Sequence, residues 1–330
     1  MTRTIVGVLR GGTSNEYDLS LKTGAAILSA LPEDRYESRD ILIDRQGVWY
    51  SRGMPSTPAA ALARADVILN AVHGGIGEDG TIGRILARTG IPYAGSTPHA
   101  SSLAFHKGRA RETLLRSGIR MPQGVTFTAS EDLDFAEMAN VAFRQFSPPY
   151  MVKPATDGAS HGIILARTIL ELPDAIALVL QAYGAAVVEE FIRGHDASVG
   201  VMERFRGQDL YALPPAHMIA PQGSRFIHSA LHRDQGLKHA VPSSFSHEEK
   251  RALTDAARRA HQALGLSHFS RADFVVAPTR PGQQPRVYLL EVNAIPGLYP
   301  GASFPPMLQS VGSSVQEFAE HAIHLAQGRV

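Results

Sequence analysis

An α/β fold is what the sequence predicts, parallel-stranded at the N-terminus and α+β in its C-terminal part. Three observations carry this. Strand-like and helix-like patterns alternate through roughly the first ninety residues, and such alternation builds a parallel sheet with helices on its faces. Glycine-rich loops at 11–12 and 73–80 fall directly after strand runs, where ligands of such sheets sit. Near the C-terminus, strand runs at 271–277 and 287–293 flank a Gly/Pro-rich connection and read as a hairpin.

Each element follows in turn. Residues 5–9 are a buried-strand run ahead of R-G-G-T-S at 10–14. A helix is expected over 20–31, stopped by Pro32. Runs at 41–43 and 67–69 are strands, and 80–90 is a helix between two glycines. A helix over 101–117 precedes a strand at 125–128. The strand at 150–154 ends in lysine and proline, turns through small residues at 155–162, and resumes at 163. The tip of that hairpin presents backbone N–H groups. A helix at 173–184 leads to a strand at 186–192. A polar, histidine-rich segment covers 222–240. The helix at 247–264 opens with Ser246 and carries Glu249 three residues on, a capping-box spacing. An amphipathic helix at 312–326 closes the chain. Three units are expected, at 1–96, 97–184 and 185–330.

Composition excludes several classes. The 330 residues are 44% hydrophobic and 19% charged, which suits a globular protein of two or three domains. A net charge of +1 gives no field to attract nucleic acid or a membrane surface. Arg111, Arg116, Arg258 and Arg259 lie in alanine-rich helical stretches and read as solvated faces. The absence of cysteine rules out disulfides, a thiolate nucleophile and thiolate-bound metal. The N-terminus lacks a signal-peptide apolar stretch, and no apolar run approaches a membrane span. A soluble cytoplasmic protein is expected.

The C-terminal hairpin carries the most specific chemistry. Residues two apart on a strand share a face, so Glu291 projects with Asn293 and Arg271 with Asp273. Folding the strands together gathers Asp273, Glu291 and Asn293 around one point, with Arg271 at the edge. Three hard oxygen ligands suit Mg²⁺, and the arginine suits charge developing on phosphate or an oxyanion. A lone acid at a strand end is more often a solvated edge. Two such pairs in consecutive strands favour a metal seat.

Lys153, directly before the glycine-containing tip, can reach a phosphate, and Lys107 supplies a second positive charge. Each lysine alone would read as a solubilising residue. Glu189, Glu190, Phe191 and Ile192 combine a carboxylate with an apolar slot, which suits adenine, and Asp196 can accept from ribose hydroxyls. The alternative is an edge strand that ends in charge. Taken in order, these parts make up a Mg-ATP site. The chain has no P-loop and no kinase H-R-D or D-F-G set.

In these segments the chain resembles the ATP-grasp superfamily, and within it the D-alanine–D-alanine ligases. The matching stretches are L-R-G-G-T-S-N-E at 9–16 with S-L-K-T-G at 20–24, H-G-G-I-G-E-D-G-T at 73–81, I-P-Y-A-G-S at 91–96, V-K-P at 152–154, V-E-E-F-I at 188–192, S-R-A-D at 270–273 and L-E-V-N-A-I-P-G at 290–297. They span nearly the whole chain in family order. The H-G-x-x-G-E-D-G-T loop and G-G-T-S-x-E mark the ligases specifically.

The resemblance implies an ATP-grasp fold with an N-terminal parallel-sheet domain ahead of it. It implies an ATP-driven condensation of two D-alanines through an acyl phosphate, giving the dipeptide used in peptidoglycan precursors. Glu16 would hold the ammonium of the first D-alanine and His73 would help orient it. Arg271 and the Gly297 N–H would stabilise the oxyanion. Asp273, Glu291 and Asn293 would bind two Mg²⁺ (or Mn²⁺). Lys107 and Lys153 would hold phosphates, while Glu189, Glu190, Phe191, Ile192 and Asp196 would surround the adenosine. Ser303 matches the position that receives the second substrate's carboxylate. A homodimer is implied, acting on small molecules rather than on nucleic acid or membranes.

Two departures concern the acceptor. The family's hairpin tip carries two adjacent serines, of which the first helps organise the substrate site; here the pair is Ala159 and Ser160. The family's mobile loop carries a lysine–tyrosine pair; here the stretch at 226–233 has His228 and His232 and no tyrosine. Such a histidine resembles those of D-alanine–D-lactate ligases, where a cationic ring would bind a carboxylate and release it on deprotonation. A divergent loop without special role is the other reading. Beside D-alanine, the acceptors left open are D-lactate, D-serine or a specialised amino acid. A non-catalytic nucleotide-binding module would have no need of Glu16 or Arg271.

Overall fold

The computed structural model describes residues 3–130, 134–156, 161–219, 238–280 and 282–328. The N-terminal alternation becomes a six-stranded sheet of β1 (Thr4–Gly11), β2 (Tyr36–Ile43), β3 (Trp49–Ser51), β4 (Met54–Ser56), β5 (Val67–Asn70) and β6 (Tyr93–Ala94). Its order is β4-β3-β2-β1-β5-β6. β1 runs parallel to β2 and β5, and β5 to β6, while the β2–β3–β4 edge is antiparallel. The central strands are apolar on both faces, and Val6, Val8, Leu9 and Ile68 are fully buried.

α1 (Tyr17–Ala30) starts three residues before the predicted helix, with Glu16 at its N-cap. Gly24 lets it lie close on β1, since a Cβ there would meet the Arg10 side chain at 2.6 Å. After the short α2 (Pro58–Leu62), α3 (Thr81–Thr89) is bounded by Gly80 and Gly90, both left-handed at φ 90° and 70°.

The helix predicted over 101–117 is in fact two, α4 (Pro98–Phe105) and α5 (Lys107–Arg116). His106 leaves helical geometry, and its ring accepts from Arg109 N at 3.4 Å. Lys107 N donates to Ala155 O at 2.8 Å instead of continuing the helix. A tertiary hydrogen bond and a side-chain cap thus outcompete helical continuation. The break aligns Lys107 with the end of the strand that carries Lys153.

The central sheet holds β7 (Gly124–Thr128), β8 (Tyr150–Pro154), β9 (Ile164–Ala166) and β10 (Ala185–Glu190) in the order β7-β10-β8-β9. It packs against α6 (Phe135–Gln145) and α7 (Leu172–Tyr183). α6 has no counterpart in the sequence reading. It buries only Ala139 and Ala142, so its apolar stripe is faint. β10 ends at Glu190, which puts Phe191 and Ile192 in the following loop rather than on the strand.

The third sheet contains β11 (His195–Phe205), β12 (Gln208–Ala212), β13 (Ala216–Ile219), β14 (Lys238–Ala240), β15 (Phe269–Ala277) and β16 (Arg286–Asn293). Its order is β14-β13-β11-β15-β16, with β12 also on β11. α8 (His247–Ala263), α9 (Phe304–Ser310) and α10 (Val315–Gln327) follow the chain around it. α4, α5 and α8 bury Ala104, Leu114 and Leu253 together with Val199, Phe274 and Leu289 of this sheet. Phe304 and Phe318 join its other side to Val6 and Val8 of β1.

The expected boundary at 184/185 separates β10 from its partners. β10 pairs antiparallel with both β7 and β8, and α4 and α5 belong to the third sheet's core. We propose a central unit of residues 124–190 on that ground.

The capping box of α8 is present as read: Ser246 Oγ accepts from Glu249 N at 3.2 Å, and Ser246 N donates to Glu249 Oε2 at 2.8 Å. Ser246→Ala lowers unfolding free energy by about 1 kcal/mol in urea denaturation. No loss would show that tertiary packing alone holds the helix start.

Candidate active site

A cleft of about 740 Å³ is walled by α1 and the loops of the N-terminal unit together with residues of the central and third sheets and the loops after them. Glu16, His73, Lys153, Glu189, Glu190, Phe191, Ile192, Asp196, Arg271, Asp273, Glu291, Asn293, Gly297 and Ser303 all line it. Lys107 joins this set through Glu291. Ser160, His228 and His232, together with Ala159, lie outside the described residues. Residues distant in sequence therefore converge as the motif order implied.

The hairpin register places the acidic cluster. β15 and β16 pair Arg271 with Asn293 and Asp273 with Glu291, and an irregularity follows between Asp273 and Phe274. Directly opposite residues share a face, so the four side chains meet. Arg271 is inside the cluster rather than at its edge: its Nε and Nη2 donate to Asp273, Nη2 to Oδ2 at 2.9 Å. Burial works against the guanidinium charge, and Asp273 more than restores it. Asn293 Nδ2 donates to Asp273 Oδ2 at 3.2 Å, leaving its carbonyl oxygen available.

Lys107 Nζ lies 3.1 Å from Glu291 Oε2. Burial alone would raise Glu291; the Lys107 ammonium, then Arg271 and Lys153, overcome it and hold the carboxyl below the usual range. The donors fit a hard divalent cation, with two carboxylates, one amide oxygen and an ammonium already sitting on Glu291. Among the described residues no group of three His, Cys, Asp or Glu forms a metal cluster. The remaining ligands would have to come from phosphate oxygens or water.

On the opposite wall Lys153 Nζ donates to Glu189 Oε2 at 2.7 Å, and Arg111 Nη1 donates to Glu189 Oε1 at 3.1 Å. Both oxygens of the buried Glu189 are thus held by cations. Arg111 is not a solvated helix residue: it is buried and also donates to the Pro122 carbonyl. Alternation along an alanine-rich helix cannot reveal a partner 78 positions away. Arg116, exposed beside Glu112, matches its reading. Arg258 and Arg259 are partly tied down, to the Leu210 and Ser117 carbonyls. Asp196, half-buried at the start of β11, is pushed up to about 6 by burial and by Asp273.

The N-terminal wall is built around Gly74. Its φ is +63°, and a Cβ there would come 2.8 Å from Glu16 Oε1; only glycine lets the carboxylate pack so close. His73 is buried, its pKa pushed down to about 3 by burial and then by Arg271. The ring is therefore neutral. Thr23 Oγ1 lies 2.8 Å from His73 Nε2.

Glu78, in the same glycine-rich loop, accepts from Gly74 N at 2.7 Å. Burial raises it to about 6, against that hydrogen bond and Arg271. A carboxyl raised on folding stabilises below its unfolded value and loses that contribution as pH climbs through its folded value. Relative to Glu78→Gln, the wild-type chain loses on the order of 2 kcal/mol between pH 4.5 and 7. Paired urea titrations at the two pH values read the difference; an unchanged difference would place the carboxyl in water.

Ser303 Oγ sits 3.1 Å from Ser198 Oγ, and Ser198 donates to Asp273 Oδ1 at 2.7 Å. A hydroxyl bridge thus links the acidic cluster to the far end of the cleft. Ser198, Thr23, Glu78, His239 and Tyr299 carried no role in the sequence reading, and Arg111 was read only as part of a solvated face. Ser198 falls two positions after Asp196 on β11, so strand alternation would have found it had β11 been recognised. Thr23 lies two turns along from Glu16 on the same helical face.

Fold and cleft together define an ATP-grasp enzyme, an ATP-dependent ligase. The family described as "D-ala D-ala ligase C-terminus" matches residues 114–324. The D-alanine–D-alanine ligase of Geotalea uraniireducens is 31% identical, covering 97% of this chain and 95% of its own. That of Leptospira interrogans serovar Lai is 27% identical, with 98% of each chain covered. Among solved structures, the VanG D-Ala:D-Ser ligase of Enterococcus faecalis superposes with a TM-score of 0.83 at 25% identity, over 98% of this chain and 100% of that one. The chain belongs to the D-alanine–D-alanine ligase family. No described helix is long and apolar enough to cross a membrane.

Proposed function

We propose that the chain condenses two D-alanines to D-alanyl-D-alanine with cleavage of ATP to ADP and phosphate. The supporting observation is the meeting of Arg271, Asp273, Glu291 and Asn293 in the same cleft as Glu16 and His73.

The first D-alanine lies with its ammonium on Glu16 and its carboxylate towards neutral His73 and Arg271. A carboxylate oxygen takes the γ-phosphoryl group, and ADP leaves. The amine of the second D-alanine, shed of a proton, adds to the acyl carbon. Arg271 and the Gly297 N–H hold the oxyanion, the carbon–oxygen bond to phosphate breaks, phosphate leaves with the nitrogen's surplus proton, and the amide remains. Lys107 and Lys153 hold the nucleotide phosphates, and the loop at Glu190, Phe191 and Ile192 holds adenine. Glu189 and Asp196 complete the nucleoside site, and Ser303 receives the acceptor's carboxylate. Mg²⁺ or Mn²⁺ on Asp273, Glu291 and Asn293, two ions by family likeness, would neutralise phosphate charge when bound. Exclusion of water from the cleft would protect the acyl phosphate from hydrolysis.

A second reading has D-serine or D-lactate as acceptor, with VanG's D-serine the specific pointer. Phosphate release from ATP with D-alanine and Mg²⁺ tests the first reading. Product mass with D-alanine against competing D-serine and D-lactate, followed over pH, separates the two. No phosphate release with any D-amino acid would sink both. The reaction places the chain in the cytoplasm with its ATP, as a supplier of peptidoglycan precursors. A homodimer is expected, and its mass by light scattering decides that point.

A further inference from the structure

We propose that Thr23 is a positioning residue for this ligation: its hydroxyl fixes the ring of His73 and ties it to the turn at Gly297 and Leu298. The inference rests on the reading above, which gives His73 a substrate to orient.

The inner face of α1 is hydroxyl-bearing where helices usually bury aliphatic groups. Ser20 Oγ donates to Ala71 O at 2.7 Å and accepts from Gly11 N at 2.8 Å. One turn on, Thr23 is almost fully buried. Its Oγ1 accepts from Leu298 N at 3.3 Å and lies 2.8 Å from His73 Nε2. Among the described residues these are its hydrogen-bond contacts. Leu298 N can only donate, and a buried hydroxyl needs an acceptor for its own proton. The acceptor in reach is the Nε2 lone pair.

The hydrogen-bond inventory therefore assigns the neutral ring its proton on Nδ1. The Ser14 hydroxyl donates to the His73 carbonyl at 2.7 Å, which steadies the residue from behind. His73, which lines the cleft, then carries its N–H on Nδ1, the kind of donor a substrate carboxylate requires. Leu298 follows Gly297, so one hydroxyl also sets the turn whose N–H faces the oxyanion. Donor orientation and oxyanion stabilisation share a support.

The test is ¹⁵N NMR of the histidine ring combined with kinetics for Thr23→Val and Thr23→Ser. In the wild-type chain, His73 Nε2 shows the shift of an unprotonated ring nitrogen. Thr23→Val gives a tautomer mixture and raises KM for the first D-alanine about tenfold, with KM for ATP unchanged. Thr23→Ser restores both. A wild-type Nε2 bearing the proton overturns the proposal without any variant. So does Thr23→Val with unaltered ring signals and donor KM. Equal loss of donor and ATP binding that serine does not restore makes Thr23 a packing residue, and also overturns it. The ring measurement needs no substrate, so it judges Thr23 even where D-alanine fails to turn over.

Discussion

Glu291→Gln lowers turnover at least ~10³-fold while the fold persists. The substitution keeps shape and removes one charge. That charge is the counter-ion of Lys107, 3.1 Å away. On the proposed reading it is also a metal ligand, opposite Asp273 in the hairpin register. Losing it removes an anionic ligand that nothing nearby replaces, since Asn293 offers only a neutral oxygen. Steady-state phosphate release, with circular dichroism as the control for folding, checks the outcome. Turnover within tenfold of wild type would refute the metal assignment and leave Glu291 as a lysine anchor.

Arg111→Met has the largest expected effect on stability, a loss of roughly 3–5 kcal/mol in urea denaturation. The methionine fills space but donates nothing. Glu189 Oε1 and the Pro122 carbonyl both lose their guanidinium partner inside the protein. Lys153 alone then faces the carboxylate, so its hold on Glu189 tightens and KM for ATP rises. Adding Glu189→Gln removes the stranded charge and recovers part of the stability. Additive losses in the double variant would mean that Arg111 and Glu189 do not support each other.

The same residues show what a linear reading can reach. The hairpin at 271–293 was legible because its chemistry is local: strand alternation puts Arg271 with Asp273 and Glu291 with Asn293, and one turn fixes their register. The N-terminal sheet was legible for a similar reason, since strands buried on both faces read as unbroken apolar runs. The capping box of α8 needs only Ser246 and Glu249. The break at His106 is different. Within 101–117 only the His106 cap hints at a break, and the hydrogen bond to Ala155 that completes it exists only after the central sheet has formed. Arg111 and Thr23 escaped for the same cause, as their partners lie in other units. β11 was missed because 195–205 mixes charged, small and apolar residues without clean alternation. Roles in the cleft follow from likeness to a family, whereas the cross-links that hold those side chains are tertiary contacts that no local pattern encodes.

The bond from Leu298 N to Thr23 Oγ1 spans 275 positions, and it bears on the chain while it is being synthesised. The N-terminal sheet, with Glu16 and His73, can fold early on the ribosome. The hairpin bearing Asp273 and Glu291 and the turn after it emerge late. Until they do, a nascent chain has Lys107 and Lys153 but neither the acidic cluster of Asp273 and Glu291 nor the turn at Leu298 that Thr23 holds. On the proposed reading, a chain that ends before this turn lacks the acidic cluster's surroundings and would not cleave ATP.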